Sequence, residues 1–362
     1  MKSKMKSFVK CIIFVVIFLF CFKNIQNVLI DKSVKDYKKI HGFFEEPENT
    51  LDAVFVGSSA TYAFWNPLVA WAEKGIAVYS VTNASQPFEI APYIIDDARK
   101  TQPDALYIVN ATRMMEDDEY DTVRIHRFLR AYPETQNKYN ALNFYLERSD
   151  MSWEEKMECY FPIIRFHERW SELDGNDFEI GEEPYKSASR YSSYLEDTKA
   201  QRKVEIDFSA YGELTENMRI ALENMMTYCK EEDVKVLFVL MPQAIRDEVL
   251  HERQNTVVRI LEENGFDVLD LRGKTDEMGI DYRKHFHDKQ HTNIHGSIRI
   301  TNYISDYLIE NYQFTDKRND EVYNEWNEAW VDYYDLISEH LLPEDYDYLK
   351  TTKESEETTI SQ

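Results

Sequence analysis

Residues 51–74 read LDAVFVGSSATYAFWNPLVAWAEK, and this stretch predicts the fold. A short apolar, β-branched run ends at Gly57, a turn follows at Ser58 and Ser59, and a segment with helical periodicity comes next. Similar apolar runs recur along the chain. Together they predict five strands, at 52–56, 76–81, 105–109, 234–240 and 266–271. Amphipathic segments predict helices at 87–101, 213–232, 247–263 and 294–311. This alternation predicts an α/β fold, a three-layer sandwich with a five-stranded parallel sheet of the doubly wound kind, whose ligands bind at the carboxyl ends of the strands.

The composition excludes several classes of protein. The 362 residues include 43% hydrophobic residues, which is enough for a core, and the net charge of −24 disfavours a nucleic-acid partner. Four cysteines occur, at 11, 21, 159 and 229, without any CxxC pair, which excludes a zinc ribbon and a disulfide-rich miniature fold. Cys159 and Cys229 are expected to be small core residues rather than a disulfide.

The amino terminus predicts a membrane anchor. Residues 1–30 contain five lysines and no acid, and residues 11–22 form the uninterrupted apolar run CIIFVVIFLFCF. Extended to 8–30, with lysines snorkelling at both ends, this run is long enough to span a bilayer. A cleaved signal peptide is the alternative, but the first alanine after the run is Ala53. Lysines before the span place the amino terminus in the cytoplasm and the rest of the chain outside it.

The expected organisation follows from these segments. Residues 1–30 are the cytoplasmic lysines and the anchor, 31–49 a linker, and 50–313 the α/β domain with a charged, aromatic-rich insertion at 112–205. Residues 314–349 form an acidic, aromatic tail that packs on the domain, and 350–362 are expected to be disordered.

Two motifs carry candidate chemistry. A serine at the Gly57-Ser58-Ser59 turn lies at the carboxyl edge of the sheet, where the backbone N–H groups of the next helix suit a nucleophile that builds an oxyanion. The alternative is that the motif only caps a helix. The second motif, DKQHTNIHG at 288–296, puts Asp288 three residues before His291, so that the carboxylate can orient the imidazole as a base.

The second motif also has a metal-binding interpretation. Histidines at 285, 287, 291 and 295 crowd around Asp288, and one helix face can carry both His291 and His295 as zinc ligands. Against this interpretation, Gly296 follows at once and the HExxH arrangement is missing. We therefore expect no metal, and the serine-histidine-aspartate chemistry implies no diffusible cofactor.

Together these residues resemble the SGNH (GDSL-like) hydrolase superfamily. The likeness is to its membrane-anchored bacterial branch, similar to cell-envelope O-acyltransfer proteins and to the D-alanine transfer protein of teichoic acid synthesis. It rests on GSS after the first strand, DxxHxNxxG before the last helix, HERWSEL, and KRNDEVYNEWNEAW in the tail, and it touches most of residues 50–335. The resemblance implies a flavodoxin-like sheet, with Ser59 as nucleophile, His291 as general base and Asp288 as its orienting acid.

The chain departs from the family pattern in three blocks, and the last two of them bear on the oxyanion hole. Ser58 replaces the usual aspartate, and NASQ at 83–86 replaces the block that normally supplies a glycine N–H. Of the third block only Asn110 remains, and this residue either donates to the oxyanion or ties a loop. The backbone N–H of Ser59, with Asn110 or the turn of Ala84 and Ser85, is the expected set of donors.

The expected function is that of a membrane-anchored, extracytoplasmic serine esterase or O-acyltransferase acting on small acyl esters. Its expected partners are an acyl-bearing envelope glycan or small ester, membrane lipid around the amino-terminal helix and, by family likeness, a membrane-embedded acyl donor protein. The alternative is a catalytically silent envelope scaffold or glycan-binding protein.

Two features of the insertion have both a structural and a functional interpretation. Arg124, Arg127 and Arg130 are expected to form a solvated helix face, with anion binding as the alternative. His167 and Trp170 are expected to be buried aromatics, with walling of the active-site cleft as the alternative.

Overall fold

The computed structural model describes residues 2–32, 35–113, 120–178 and 195–349. The strands are β1 (Ala53–Gly57), β2 (Val78–Thr82), β3 (Leu106–Asn110), β4 (Val236–Leu240) and β5 (Asp267–Asp270). The helices before β3 are α1 (Lys2–Leu29), α2 (Lys35–Phe43), α3 (Ser59–Tyr62), α4 (Pro67–Lys74) and α5 (Ala91–Ala98). Those between β3 and β4 are α6 (Thr122–Ala131), α7 (Gln136–Glu147), α8 (Trp153–Tyr160), α9 (Pro162–Phe166), α10 (Gly175–Phe178) and α11 (Glu216–Glu231). The remaining helices are α12 (Glu248–Glu263), α13 (Ile294–Tyr312) and α14 (Asn324–Ser338).

The five strands form one sheet in the order β2-β1-β3-β4-β5, and every neighbouring pair is parallel. The prediction of an α/β chain with a five-stranded parallel sheet is therefore confirmed. Each observed strand begins one or two residues after the predicted start. At every strand except β1, an apolar residue of the preceding loop had extended the predicted run.

Hydrophobic side chains are buried on both faces of the sheet. Along β1, Val54 and Val56 join one buried cluster, whereas Ala53 and Phe55 join a second. Alternate residues of a strand point to opposite faces, so a strand that is covered on both sides needs a continuous apolar run. This requirement explains why β1, β3 and β4 lack a polar-apolar alternation, whereas the edge strand β5 is partly exposed.

Helix α1 is the one helix in the described part of the chain that is long and apolar enough to cross a membrane. The stretch Lys4–Leu29 has a mean hydropathy of 2.3 in its most apolar window, and none of that window is buried against the protein. These properties agree with the predicted anchor, since side chains that face lipid need no protein cover.

The stretch 31–49, expected to be a linker, contains helix α2. Ile40 and Phe43 of this helix are fully buried, and Phe43 meets the ring of Tyr79 on β2 edge to face at 5.4 Å. The helix does not stand out in the sequence, because these two apolar residues lie in a mostly polar stretch.

The insertion and the tail both contribute to the core. Helices α6 and α7 supply Phe128 and Tyr145 to the first cluster, and α14 packs on α4, where Trp326 and Trp71 lie 5.4 Å apart. Residues 114–119 and 179–194 of the insertion, and the tail 350–362 for which disorder was predicted, lie outside the described residues.

Candidate active site

Ser59 is the first residue of helix α3, directly after the carboxyl end of β1. Strand β1 pairs with β2 on one side and β3 on the other, so this end of the strand opens between two neighbours. Gly57 allows the tight connection: an added Cβ would overlap the Thr61 hydroxyl and lie 2.8 Å from the Cβ of Asn110. The glycine is needed for space, not for an unusual backbone angle.

His291 and Asp288 share one turn in the loop before α13. Nδ1 of His291 lies 3.0 Å from each carboxylate oxygen of Asp288. The same carboxylate accepts the backbone N–H groups of Gln290 and His291 at 2.7 and 2.9 Å. Partial burial alone would raise the pKa of Asp288, but these hydrogen bonds outweigh burial and lower the pKa below its usual value. Asp288 is therefore ionised at neutral pH and fixes the ring of His291.

The fold brings this pair to Ser59. Nε2 of His291 lies 2.9 Å from Oγ of Ser59, across 232 positions of sequence. The loop is held in place because the Thr292 hydroxyl donates to the carbonyl of Ala63, at the end of α3. A serine, a histidine and an aspartate thus form one continuous chain of hydrogen bonds, the arrangement that lets an imidazole take a proton from a hydroxyl.

Tyr62 lies on the same short helix as the serine. Tyr62 closes helix α3, and burial raises the pKa of its phenol to about 12. Nζ of Lys39 lies 4.4 Å from the centre of the same ring. The phenol therefore stays neutral at physiological pH.

Asn110 lies at the end of β3, beside the serine turn. Its amide oxygen accepts the N–H of Thr112 at 2.9 Å, and its amide nitrogen donates to the hydroxyl of Thr61 at 3.0 Å. These contacts tie the loop after β3 to helix α3. An amide nitrogen carries two hydrogens, so one donor of Asn110 remains beyond these bonds.

The other predicted oxyanion donors belong to the turn after β2. The N–H of Ala84 is directed at a carboxylate oxygen of Asp36, 3.4 Å away. Ser85 has a left-handed backbone (φ 58°), and its hydroxyl accepts from a guanidinium N–H of Arg127 at 3.1 Å. Ala84 therefore already has an acceptor, while the turn itself is stabilised by an arginine.

A cleft with a cavity volume of about 60 Å³ lies between the serine turn, the turn after β2 and helix α6. Arg113 and Arg124 line it together with Gln86 and Glu89. The amide of Gln86 is nearly buried and has no hydrogen-bond partner in the described part of the chain. Burial raises the pKa of Glu89 to about 7, and Arg124 opposes this effect.

These positions correct the reading of the arginine row as a solvated face. Arg124, Arg127 and Arg130 are each half-buried, because helix α6 lies against the turn after β2 and the cleft. The sequence reasoning also missed Tyr62 on the helix of the serine, and Arg113 and Gln86 as residues that line the cleft at the serine turn. An arginine or glutamine shortly after a strand's carboxyl end is the signal that could have found the last two.

His291 and His295, the pair of the metal-binding interpretation, contact different side chains. His291 faces Ser59, whereas Nδ1 of His295 lies 2.5 Å from Asp345. His291 precedes α13, which begins at Ile294, so the two histidines do not lie on one helix face. Among the described residues, no group of three or more histidine, cysteine, aspartate and glutamate side chains is placed to hold a metal ion.

The sequence matches no family model, and no curated protein matches it.

Proposed function

We propose that this chain is a serine ester hydrolase or O-acyltransferase of the SGNH-like kind, acting on small acyl esters of a cell-envelope glycan. The observation that carries the proposal is the hydrogen-bonded chain from Ser59 through His291 to Asp288. A histidine that contacts both a hydroxyl and an ionised carboxylate is the arrangement that activates a serine nucleophile.

The chemistry follows from these three groups. The Ser59 oxygen attacks the acyl carbonyl carbon while Nε2 of His291 takes the hydroxyl proton. As the bond to the leaving alcohol breaks, His291 returns that proton to the alcohol and an acyl-serine forms. Water or a sugar hydroxyl then attacks the acyl-serine, with His291 again acting as the base. Asp288 stabilises the imidazolium in both halves.

The oxyanion donors in this proposal are the N–H of Ser59 and the remaining hydrogen of Asn110. Ser59 is the first residue of its helix, where a backbone N–H has no acceptor within the helix. The turn of Ala84 and Ser85 is the alternative second donor. Each well-aimed donor is worth about 10²–10³-fold in turnover.

The strand order supports the expected flavodoxin-like fold, and the anchor supports the expected extracytoplasmic location. The order β2-β1-β3-β4-β5 is that of flavodoxin-like doubly wound sheets, in which ligands bind where the strand order reverses. Burial on both sheet faces supports a three-layer sandwich. The lysines before the span favour an extracytoplasmic domain in the cell membrane. A membrane-embedded acyl donor protein is then a partner within reach.

A catalytically silent envelope scaffold or glycan-binding protein is the second candidate. The observation that favours it is that two of the predicted donor groups already have acceptors: one N–H of the Asn110 amide donates to Thr61, and the N–H of Ala84 faces Asp36. A fold that keeps the triad without an oxyanion hole would bind an ester and turn it over slowly.

Labelling with a serine-directed fluorophosphonate probe distinguishes the two candidates. The full chain is purified in detergent micelles and compared with Ser59→Ala and with Ser58→Ala. The latter is a matched control, because the Ser58 side chain makes no capping hydrogen bond. An enzyme predicts labelling of the wild type and the control but not of Ser59→Ala. Equally weak labelling of all three proteins would support the scaffold.

A further inference from the structure

The last turns of α1 meet a group of apolar side chains from the insertion. Residues 161–178, which we call the collar, comprise α9, a short 3₁₀ turn (His167–Ser171) and α10, and all three contact α1. The ring of Phe161 meets that of Phe22 edge to face at 6.3 Å. The collar therefore lies beside the apolar helix itself.

A polar clamp holds the collar to the end of that helix. The guanidinium of Arg169 donates to the carbonyl oxygen of Leu29 at 2.6 Å and to the carboxylate of Asp177 at 2.8 Å. Nζ of Lys32 donates to the carbonyl of Asp177 at 3.1 Å. The final carbonyls of a helix have no partner within the helix, so Arg169 fills a position that α1 leaves open.

The collar exposes large apolar side chains. Trp170 is 73% exposed, Phe178 60% and Ile164 44%. A cleft of about 470 Å³ separates the collar from α1, and its walls include Ile25, Val28 and Leu173. This finding corrects the expectation for His167 and Trp170. Both are exposed, and they line this cleft rather than a buried core or the active-site cleft.

The position of the collar along α1 matches the expected edge of the bilayer. A span needs about 20 residues to cross the hydrocarbon layer. Counted from Phe8, this length ends near Asn27, within the last two turns of α1. The cleft is lined on the helix side by residues from Asn24 to Leu29, at that same depth. Tryptophan is enriched at this boundary in membrane proteins, since its ring is apolar and its N–H is polar.

We propose that the collar docks into the membrane–water interface on the extracytoplasmic side of the membrane that α1 spans. We further propose that its cleft takes an acyl chain of a membrane phospholipid. The exposed side chains continue the lipid-facing surface of α1, and the clamp keeps them at one depth. The collar thereby holds the domain at a defined orientation to the membrane. This proposal rests on the membrane span and is independent of the acyl chemistry proposed above.

Fluorescence quenching by brominated lipids tests the proposal. The full chain is placed in phosphatidylcholine vesicles whose acyl chains carry bromine either near the glycerol or near the chain end. Because Trp153 is also exposed, Trp153→Phe serves as the parent protein. The test variant adds Trp170→Phe, and the matched control adds Trp330→Phe, a half-buried tryptophan on α14.

We expect bromine near the glycerol to quench the parent most strongly. Trp170→Phe should remove most of that quenching, whereas Trp330→Phe should leave it unchanged. Equal quenching of the parent and Trp170→Phe would overturn the proposal, because Trp170 would then lie away from lipid. Stronger quenching of Trp170 by bromine at the chain end would overturn the interfacial position.

Discussion

Replacing Asp288 with asparagine removes the charge behind His291 and nearly preserves the shape of the side chain. The carboxylate now accepts Nδ1–H of His291 and two backbone N–H groups. An asparagine has one acceptor oxygen, which the backbone groups occupy, so its NH₂ faces Nδ1 of His291. This arrangement favours the tautomer that carries its hydrogen on Nε2, and that nitrogen then cannot take the proton of Ser59.

The expected loss of Ser59 reactivity in Asp288→Asn is large, because the wrong tautomer of His291 and the missing charge of Asp288 act together. The corresponding change in other serine hydrolases lowers turnover by about 10⁴-fold, or ~5 kcal/mol of transition-state stabilisation. The measurement is the second-order rate of fluorophosphonate labelling of the full chain in micelles. Asp276→Asn is the matched control, since Asp276 is exposed and pairs with Lys203 away from the serine. A labelling rate for Asp288→Asn within tenfold of the wild type would refute the role given to Asp288.

Three further predictions concern stability and thiol chemistry. Gly57→Ala should lower the free energy of unfolding by about 1–3 kcal/mol through overpacking. Gly175→Ala is the control and should change this free energy little, because its added Cβ would meet nothing within 4 Å. Thermal unfolding in micelles measures both variants. Asp345 is fully buried and accepts hydrogen bonds from His295 and Arg299, which outweigh burial and lower its pKa. Asp345→Asn should lower the free energy of unfolding by about 3–5 kcal/mol. The stability that Asp345 contributes should be present above its ordinary pKa of 3.8 and be lost as the pH falls below that value, and an acid unfolding curve without this loss in the wild type would contradict the assignment. Cys159 and Cys229 are buried free thiols whose pKa burial raises to about 12, so alkylation followed by peptide mapping should find both unmodified in the folded protein and modified after denaturation.

The parts of the site that lie close together in sequence were the parts that sequence reasoning could reach. Asp288 and His291 are three residues apart, so a single turn brings carboxylate and imidazole together whatever the rest of the chain does. The serine turn was also readable, because an apolar run that ends in Gly57 predicts a buried strand followed by a tight connection. Helix α2 was missed for the opposite reason: its two core residues, Ile40 and Phe43, stand in a polar segment.

The sequence by itself determined the strands, the amino-terminal apolar helix and the two local motifs, since each depends on residues within one segment. Tertiary structure decided what those segments meet. It placed Nε2 of His291 beside Ser59, directed His295 to Asp345, and tied Arg169 to the end of the apolar helix. The physical reason is that such contacts depend on strand order and on loop paths, which arise from packing the whole core and which no single segment encodes.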